Sequence, residues 1–588
     1  MQTPTRPHTS QPSHTPPIGY HPGKVRENNV ITYIEHHLRN HPDRTAIRWV
    51  EREVSAAFDG DHTRPFPTGE ISYAQLEQLI FQTAKGLEQL GIGEGDRVII
   101  FLPMGVGLYT AMFAVQTLGA IAVFLDSWAR RKHLGASARC VRPKAMVSFK
   151  QAFELIEGIE GFEDLAVRVV AGDCEGVRHD ARLEELVFTS GRAEVCPVHS
   201  EQTALITFTT GSSGTPKGAN RTHRFLSAQH RALDKVIPYE PGDVDLPAFP
   251  IFSLNNLAAG VTTVIPAVNL AAPSPRDPAA LTCQILHDNV SCTTLSPSML
   301  VGVARYCAEH DVALTGLRRI VTGGAPISRD NVRDMLAVAP NAELWVLYGS
   351  TEVEPMAHIE GHTMLALETD PDPEIVEQGV NVGRIDPALD YKFIRIVRGP
   401  IDLSETGWEA LELPRGEVGE FIVTGDHVCR DYYNNPEAFR RSKILDTDGR
   451  VWHRTGDLAR LDERGDLWIV GRIHNVIERA GRYLFPVPAE VILHAIEGVQ
   501  RGAFLGLSDE ELGERTAVVV QPAPQADLDR IEREVLRRFE KNRIPVDALY
   551  FVDAIPMDPR HHSKVEYDAL RRQLLEQGAT DRLAERRR

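Results

Sequence analysis

Apolar positions along this chain change their rhythm twice. From Asn28 to Val470, short β-like runs alternate with stretches of helical period. The runs Arg97–Leu102, Ala145–Phe149, Val167–Val170, Ala204–Phe208, Arg319–Thr322 and Leu344–Leu347 read as strands, and Tyr73–Leu90 and Leu108–Thr117 read as helices between them. Strand–helix alternation predicts an α/β fold with parallel sheets and helices on both faces. After Pro400 the pattern turns to short strands separated by turns, at Glu420–Thr424, Val451–His453, Ala459–Leu461 and Leu467–Val470, which predicts a small β-rich subdomain. Beyond Gly471-Arg472-Ile473-His474 it changes again. A helix (Pro488–Ile496), two strands (Gly502–Leu507, Arg515–Gln521), an amphipathic helix (Leu528–Phe539) and a last strand (Ala548–Val552) predict an α+β cap.

Length supports this division, since 588 residues exceed what one compact core serves. The expected organisation is a tail over 1–27, a large N-terminal domain over 28–471, a C-terminal cap over 472–575 and a basic tail over 576–588. The first residues, Met1 to Gly23, are Pro, Thr, His and Ser with almost no apolar content, too little to offset the entropy of ordering.

Charge narrows the partners. A formal charge of −17 argues against broad nucleic-acid binding, which needs a basic face. No apolar run reaches the roughly 18–20 residues that cross a bilayer, and no apolar segment of signal-peptide type follows the N-terminus. The seven cysteines are scattered, odd in number and free of C-x-x-C spacing, so reduced thiols and a cytoplasmic location are expected. The adjacent pair His561-His562 has no further ligand nearby in sequence and reads as solvated loop histidines.

The chemistry concentrates in Thr207-Phe-Thr-Thr-Gly-Ser-Ser-Gly-Thr-Pro-Lys-Gly218, which the apolar run Ala204-Leu205-Ile206 feeds. Hydroxyls at Thr209, Thr210, Ser212, Ser213 and Thr215 surround Gly211, Gly214 and Gly218, with Lys217 behind. Glycines let backbone N–H groups approach an anion, hydroxyls add donors and the lysine adds charge, so the loop suits a polyphosphate. It is not the common nucleoside-triphosphatase loop, whose lysine precedes Ser or Thr.

This string resembles the AMP-forming acyl-adenylating superfamily of acyl-CoA synthetases, peptide-synthetase adenylation domains and luciferases. The resemblance continues in order through Ile71–Leu76, Gly93–Val98, Thr322-Gly-Gly-Ala-Pro326, Tyr348-Gly-Ser-Thr-Glu352, Gly416-Glu-Val-Gly-Glu420, Arg454-Thr-Gly-Asp457, Gly471-Arg472 and Lys564. It implies a large N-terminal part with a small C-terminal domain rotating on a hinge, and ATP and Mg²⁺ as partners of a small-molecule carboxylic acid. The acid's oxygen attacks the α-phosphorus of ATP and pyrophosphate leaves, a reaction that positioning and electrostatics accelerate. By resemblance, Glu352 ligates Mg²⁺, Thr351 donates to the α-phosphate, and Tyr348, with Gly349 and Ser350 beside it, lies near adenine. Gly324, Ala325 and Pro326 form a backbone wall against the base. Asp457 and Arg472 grip the ribose hydroxyls, and Lys564 bridges carboxylate and α-phosphate. Taken alone, Glu352 is a loop carboxylate, Gly324–Pro326 a turn, and Asp457 after glycine a turn residue.

Three positions depart from the usual pattern. His474 stands at the hinge, Glu478 replaces a lysine that supports thioester formation, and Ser253 in Phe249-Pro-Ile-Phe-Ser-Leu254 replaces an aromatic or histidine gate. These departures, with Phe-Pro-x-Phe and Arg560-His-His-Ser-Lys564, are similar to the β-lactone synthetases of bacterial olefin biosynthesis. The expected function is activation of a fatty or hydroxy fatty acid, then closure to a β-lactone. Thioester transfer to CoA is the alternative, and a non-catalytic nucleotide-binding protein is the alternative from another class. The substrate wall is expected at Phe252, Ser253, Leu254, Asn255 and Leu257. Association with other lipid-pathway enzymes is left open.

Overall fold

The computed structural model describes residues 21, 23–125, 131–210, 216–270, 272–367, 379–557, 565–576 and 580–587. Three sheets organise them. In the first, seven strands run in the order Ala181–Arg182, Val167–Ala171, Ala145–Phe149, Arg97–Phe101, Ile121–Phe124, Thr203–Thr210 and Pro216–Thr222. All neighbours are parallel except the last pair, whose hairpin flanks the glycine-rich loop. Helices cover both faces, as the alternation predicts. Tyr73–Gln89 opens on a capping box, in which the Ser72 side chain accepts from the Gln75 N–H while the Gln75 side chain accepts from the Ser72 N–H.

The second sheet holds the β-rich subdomain expected after Pro400. It begins at Val380–Ile385, which pairs with Val353–Glu360 through Ala357 and Ile385, and with Leu467–Arg472 through Val380 and Ile469. One bridging strand thus joins the parallel half, including Arg319–Gly323 and Glu343–Ser350, to an antiparallel half, giving 14 strands in one sheet. The two runs expected at Val451–His453 and Ala459–Leu461 form one strand, Val451–Leu461. Gly456 within it has φ +71 and the register slips between Leu458 and Ala459, so polar residues interrupt the apolar pattern without ending the strand.

The third sheet belongs to the C-terminal cap. Val499–Asp509 and Gly513–Pro522 form its long hairpin, and Ala548–Phe551 adds in parallel. The helices Pro486–His494 and Leu528–Lys541 pack on it through Ile492, Leu493, Ile531, Val535 and Phe539. No helix among the described residues is long and apolar enough to cross a membrane.

Candidate active site

Two parallel strands end side by side and carry the first site residues. Arg319–Gly323 and Glu343–Ser350 pair through Gly323 and Leu347. A Cβ on Gly323 would stand 2.5 Å from the Leu347 carbonyl oxygen, so only glycine allows this approach. Gly324, at φ +81, has open space where its Cβ would be. With Ala325, Phe249 and Ser296 it lines a small pocket of about 10 Å³. Pro326 follows on the surface. The segment is bare backbone wall, which suits a flat base.

The Glu343–Ser350 strand turns back antiparallel into Val353–Glu360, with Ser350 opposite Val353. Thr351 and Glu352 are therefore the two residues of a hairpin turn. Ser350 Oγ accepts from the Glu352 N–H, and Arg221, itself buried, donates Nη2–H to the Thr351 carbonyl at 2.7 Å. A Cβ on Gly349 would sit 3.0 Å from the Val353 oxygen, which keeps the turn tight.

Glu352 is buried and accepts from the Tyr432 hydroxyl at 2.7 Å. Burial pushes its carboxyl up, but His453, Lys443 and the Tyr432 hydrogen bond outweigh this and hold it at about 2. Burial and the neighbouring Lys443 hold His453 down at about 3, so at neutral pH it is uncharged, and Lys443 and Tyr432 keep Glu352 ionised. Lys443 is only 2% exposed. Its ammonium donates to the Cys429 carbonyl and to His453 Nδ1, the latter at 3.2 Å, and lies over the Tyr432 ring. Lys217 Nζ donates to Ser442 Oγ at 3.2 Å and lies 5.7 Å from the same ring. Two lysines therefore flank the Glu352–Tyr432 pair. An ionised carboxylate with its partner fixed fits a hard cation such as Mg²⁺, which takes one or two protein carboxylates and completes its shell with phosphate oxygens and water. Among the described residues no cluster of three acidic, histidine or cysteine side chains could hold a metal without such help.

The slip in Val451–Leu461 places Asp457 opposite Arg472 on Leu467–Arg472. Asp457 Oδ1 accepts from Arg472 Nε at 2.7 Å, and Oδ2 accepts from the Tyr348 hydroxyl at 2.6 Å. Asp457 raises the Arg472 guanidinium further above its ordinary value, while burial and Asp457 together push the Tyr348 phenol well up. Tyr348, Asp457 and Arg472 thus form one polar edge beside Glu352.

At the expected substrate wall, structure and sequence divide differently. The helix Pro250–Ala259 carries all five expected wall residues. Leu254 and Asn255 line a cavity of about 70 Å³. Phe252 instead packs against Leu233, Val321 and Leu347. Ser253 is fully buried, and Leu257 joins the core around Tyr73 and Leu76.

Gly211, Ser212, Ser213, Gly214, Thr215 and Lys564 lie outside the described residues, as do the side chains of Thr209 and Thr210. The described flanks of the Lys564 segment, Met557 and Val565, form an antiparallel bridge. His474 follows Arg472 in a turn held by the Ile473 N–H on the Gly456 carbonyl, and burial lowers its imidazole. Glu478 is exposed on the short strand Ile477–Arg479. Sequence reasoning missed Tyr432, Lys443, His453 and Arg221. For Tyr432, Lys443 and His453 the one signal was that the turn Tyr432–Pro436 and a charged run precede Trp452–Asp457, and for Arg221 that it follows the glycine-rich string on the strand Pro216–Thr222.

Known proteins resemble this chain over most of its length. The profile described as AMP-binding enzyme matches residues 34–433. The olefin beta-lactone synthetase of Stenotrophomonas maltophilia is 30% identical over 557 residues, covering 92% of this chain and 97% of that protein. The long-chain-fatty-acid–CoA ligase FadD13 of Mycobacterium tuberculosis is 24% identical over 499 residues, covering 85% and 92%. Among solved structures, ATP-bound MatB from Rhodopseudomonas palustris superimposes with a TM-score of 0.73 at 22% identity, covering 93% of this chain and 99% of that one. That likeness shows a shared fold over nearly the whole of both chains.

Proposed function

We propose, on the premise that this chain belongs to the AMP-binding enzyme family, that it adenylates a fatty or hydroxy fatty acid and closes the hydroxylated adenylate to a β-lactone. AMP-forming acid activation is the family's chemistry. The choice of acid and of second step is our reading. One observation carries it, the similarity to olefin beta-lactone synthetases over almost the whole length of both chains.

In this reading ATP is a substrate held at three places. Asp457, with Arg472 and Tyr348, receives the ribose hydroxyls. Gly323–Ala325 lies against the base. Lys217 and the 209–215 segment take the phosphates. Bound Mg²⁺ would neutralise the charge that builds on the departing pyrophosphate, and Glu352 is the residue to hold it. Tyr432 and Lys443 keep that carboxylate ionised and oriented. Arg221 fixes the Thr351 carbonyl in the turn that carries Glu352, and Thr351 would donate to the α-phosphate. Lys564 brings positive charge between acid and α-phosphate. The hydroxyl of a β-hydroxyacyl adenylate then attacks the acyl carbon. The C–O bond to AMP breaks, AMP leaves with its electron pair, and the hydroxyl proton passes to an acceptor in the site. An internal nucleophile has a high effective concentration and needs no channel for a second substrate. Glu478 in place of a thioester-supporting lysine fits that economy, and seven free cysteines fit a cytoplasmic setting.

The test incubates plain and β-hydroxy fatty acids with ATP and Mg²⁺, with and without CoA, and identifies products by mass. Lactone and AMP from the hydroxy acid without CoA support the reading. A CoA thioester from the plain acid, at an ordinary turnover of roughly 1–10³ s⁻¹ and with no lactone from the hydroxy acid, replaces it with a CoA ligase. Similarity to FadD13 makes that the second reading.

A further inference from the structure

One polar contact in the C-terminal cap links the two faces of its sheet. The strand Val499–Asp509 is an edge of that sheet and pairs, among the described residues, with Gly513–Pro522 alone. The helix Pro486–His494 covers one face through Ile492 and Leu493, with Phe504 of the strand beneath it. The helix Tyr567–Glu576 covers the other through Leu570 and Leu574, with Leu505 beneath it. Alternate residues of one strand thus serve the two faces. At the strand edge the helices are joined. Glu490 of the first accepts from the Tyr567 hydroxyl of the second and from the Phe504 N–H. Arg571 Nε donates to the Gly506 carbonyl at 3.3 Å, two residues further along the same edge.

Tyrosine suits this place. Its ring packs in the apolar cluster that also holds Leu505, Leu570 and Val565, and only its tip is polar. Burial and the neighbouring Glu490 push the phenol well up, so it stays a donor. Burial also pushes the Glu490 carboxyl up to about 7, against the two hydrogen bonds that it accepts. A carboxyl in such surroundings is costly to leave without its hydroxyl partner, which holds the pair together.

Both partners lead back to the nucleotide end. Glu490 stands one turn after Pro486, on the same side of its helix. Pro486 rests on Gly471, where a Cβ would lie 3.2 Å from the proline Cδ, and Gly471 adjoins Arg472. Phe485 packs with Leu458, which adjoins Asp457. From the other helix, Asp568 and Arg571 lie within charge range of the His474 imidazole, as do Arg472 and Asp457. Before that helix, the Met557–Val565 bridge is extended by the Glu566 N–H on the Pro556 carbonyl at 2.9 Å. Tyr567 follows Lys564 by three residues, so chain length alone keeps their α-carbons within about 11 Å.

We propose that Tyr567 and Glu490 are positioning residues for acid activation: their hydrogen bond fixes the start of the Tyr567–Glu576 helix against the strands that carry Asp457 and Arg472, and so sets where the chain enters from Lys564. Both act through Lys564. The proposal rests on the reading of that lysine as the cation between acid and α-phosphate.

The experiment uses the full-length enzyme and acid-dependent pyrophosphate exchange. Tyr567→Phe removes one hydroxyl, and kcat should fall about tenfold, because a small misplacement of a reacting group is costly, while the KM for ATP stays within about twofold. Glu490→Leu removes the acceptor and should give the same loss. Glu490→Gln, whose amide oxygen accepts from the same hydroxyl, should keep most of kcat. The double variant Tyr567→Phe/Glu490→Leu should be no slower than either single variant, since the two residues act as one contact. Turnover of a chemically prepared acyl-adenylate, which bypasses the first step, should stay within about twofold in Tyr567→Phe. Should Tyr567→Phe fail to fold, Glu490→Leu against Glu490→Gln gives the same reading. A kcat loss below about threefold, a loss carried by the KM for ATP, additive losses in the double variant, or an equal loss with the prepared adenylate overturns the proposal. Lys564→Ala is measured alongside. Exchange retained in Lys564→Ala removes the reading of Lys564 and the proposal with it. Exchange lost there but kept in Tyr567→Phe removes the proposal alone. The choice between lactone and thioester does not enter, because exchange reads the first step.

Discussion

The Glu352 centre and the cavity behind Pro250–Ala259 are built in opposite ways. Around Glu352 the polar groups are paired within the protein: Glu352 with Tyr432, Lys443 with Cys429 and His453, Asp457 with Tyr348 and Arg472. Around the cavity the lining is largely apolar, with Ile34, Met112, Phe113, Leu226, Ile251 and Leu254 among its walls. A paired network is set before its ligand arrives, which suits a nucleotide that is the same in every turnover. An apolar wall makes no directional demand on what it faces and gains from burial alone.

The contrast can be broken most severely at Glu352. Glu352→Gln keeps the shape and an acceptor for Tyr432 but removes the charge, so acid-dependent pyrophosphate release should fall about 10²-fold or more, with partial rescue by added Mg²⁺. A variant with wild-type rate and metal dependence would remove Glu352 from the centre. Asp457→Asn should raise the KM for ATP about 10- to 100-fold, since hydrogen bonds to charged groups contribute about 1.5–3 kcal/mol. An unchanged KM with a lowered kcat would instead put Asp457 on the reacting atoms. Lys443→Met, close in volume, tests the supporting layer. It should weaken apparent Mg²⁺ affinity about tenfold and move the acid limb of the pH–rate profile upward, because a carboxyl held at about 2 partly by that cation loses the support. An acid limb that stays in place would mean that Tyr432 alone keeps Glu352 ionised.

The gentlest test concerns stability on the cavity side. His223 starts the helix that carries His230, accepts from the Val30 N–H through Nδ1, and is held at about 3 by burial. Unfolded, it titrates near 6.5. Between these values the unfolded chain binds the proton and the folded chain does not, so this residue lowers stability as pH falls from 6.5 towards 3. His223→Leu should therefore gain on wild type by about 1.4 kcal/mol for each pH unit below 6.5. Chemical denaturation at three pH values measures it, and a pH-independent difference would show that folding leaves the His223 imidazole unshifted.

Much of the Glu352 centre was legible because its residues are neighbours in sequence. Tyr348-Gly-Ser-Thr-Glu352 is a strand end and a two-residue turn, so contiguity and local geometry already place Thr351 and Glu352 together. The helices were legible for a similar reason: period and caps are local, and Tyr73–Gln89 ends within a residue of its expected limit. The joined sheet was not. Val380–Ile385 gives no sign in its residues that it will bridge two halves, because strand partners are chosen by long-range packing.

By itself, then, the sequence determined the α/β alternation, the cap after Gly471 and the identity of the groups that can meet ATP, since these depend on residue type, spacing and order. Only the tertiary structure decided which groups support them. Tyr432 reaches Glu352 from 80 residues away, Lys443 sits buried beside His453, and His230 shares a cavity with Tyr33 and Gln116 from two other helices. Within the expected acid wall, the helix phase left Leu254 and Asn255 on the cavity and turned Phe252 and Leu257 into neighbouring cores. The physical reason is the same throughout. Residue type fixes what a side chain can do, while burial, pairing and the direction it faces depend on partners that the chain brings together only when it packs.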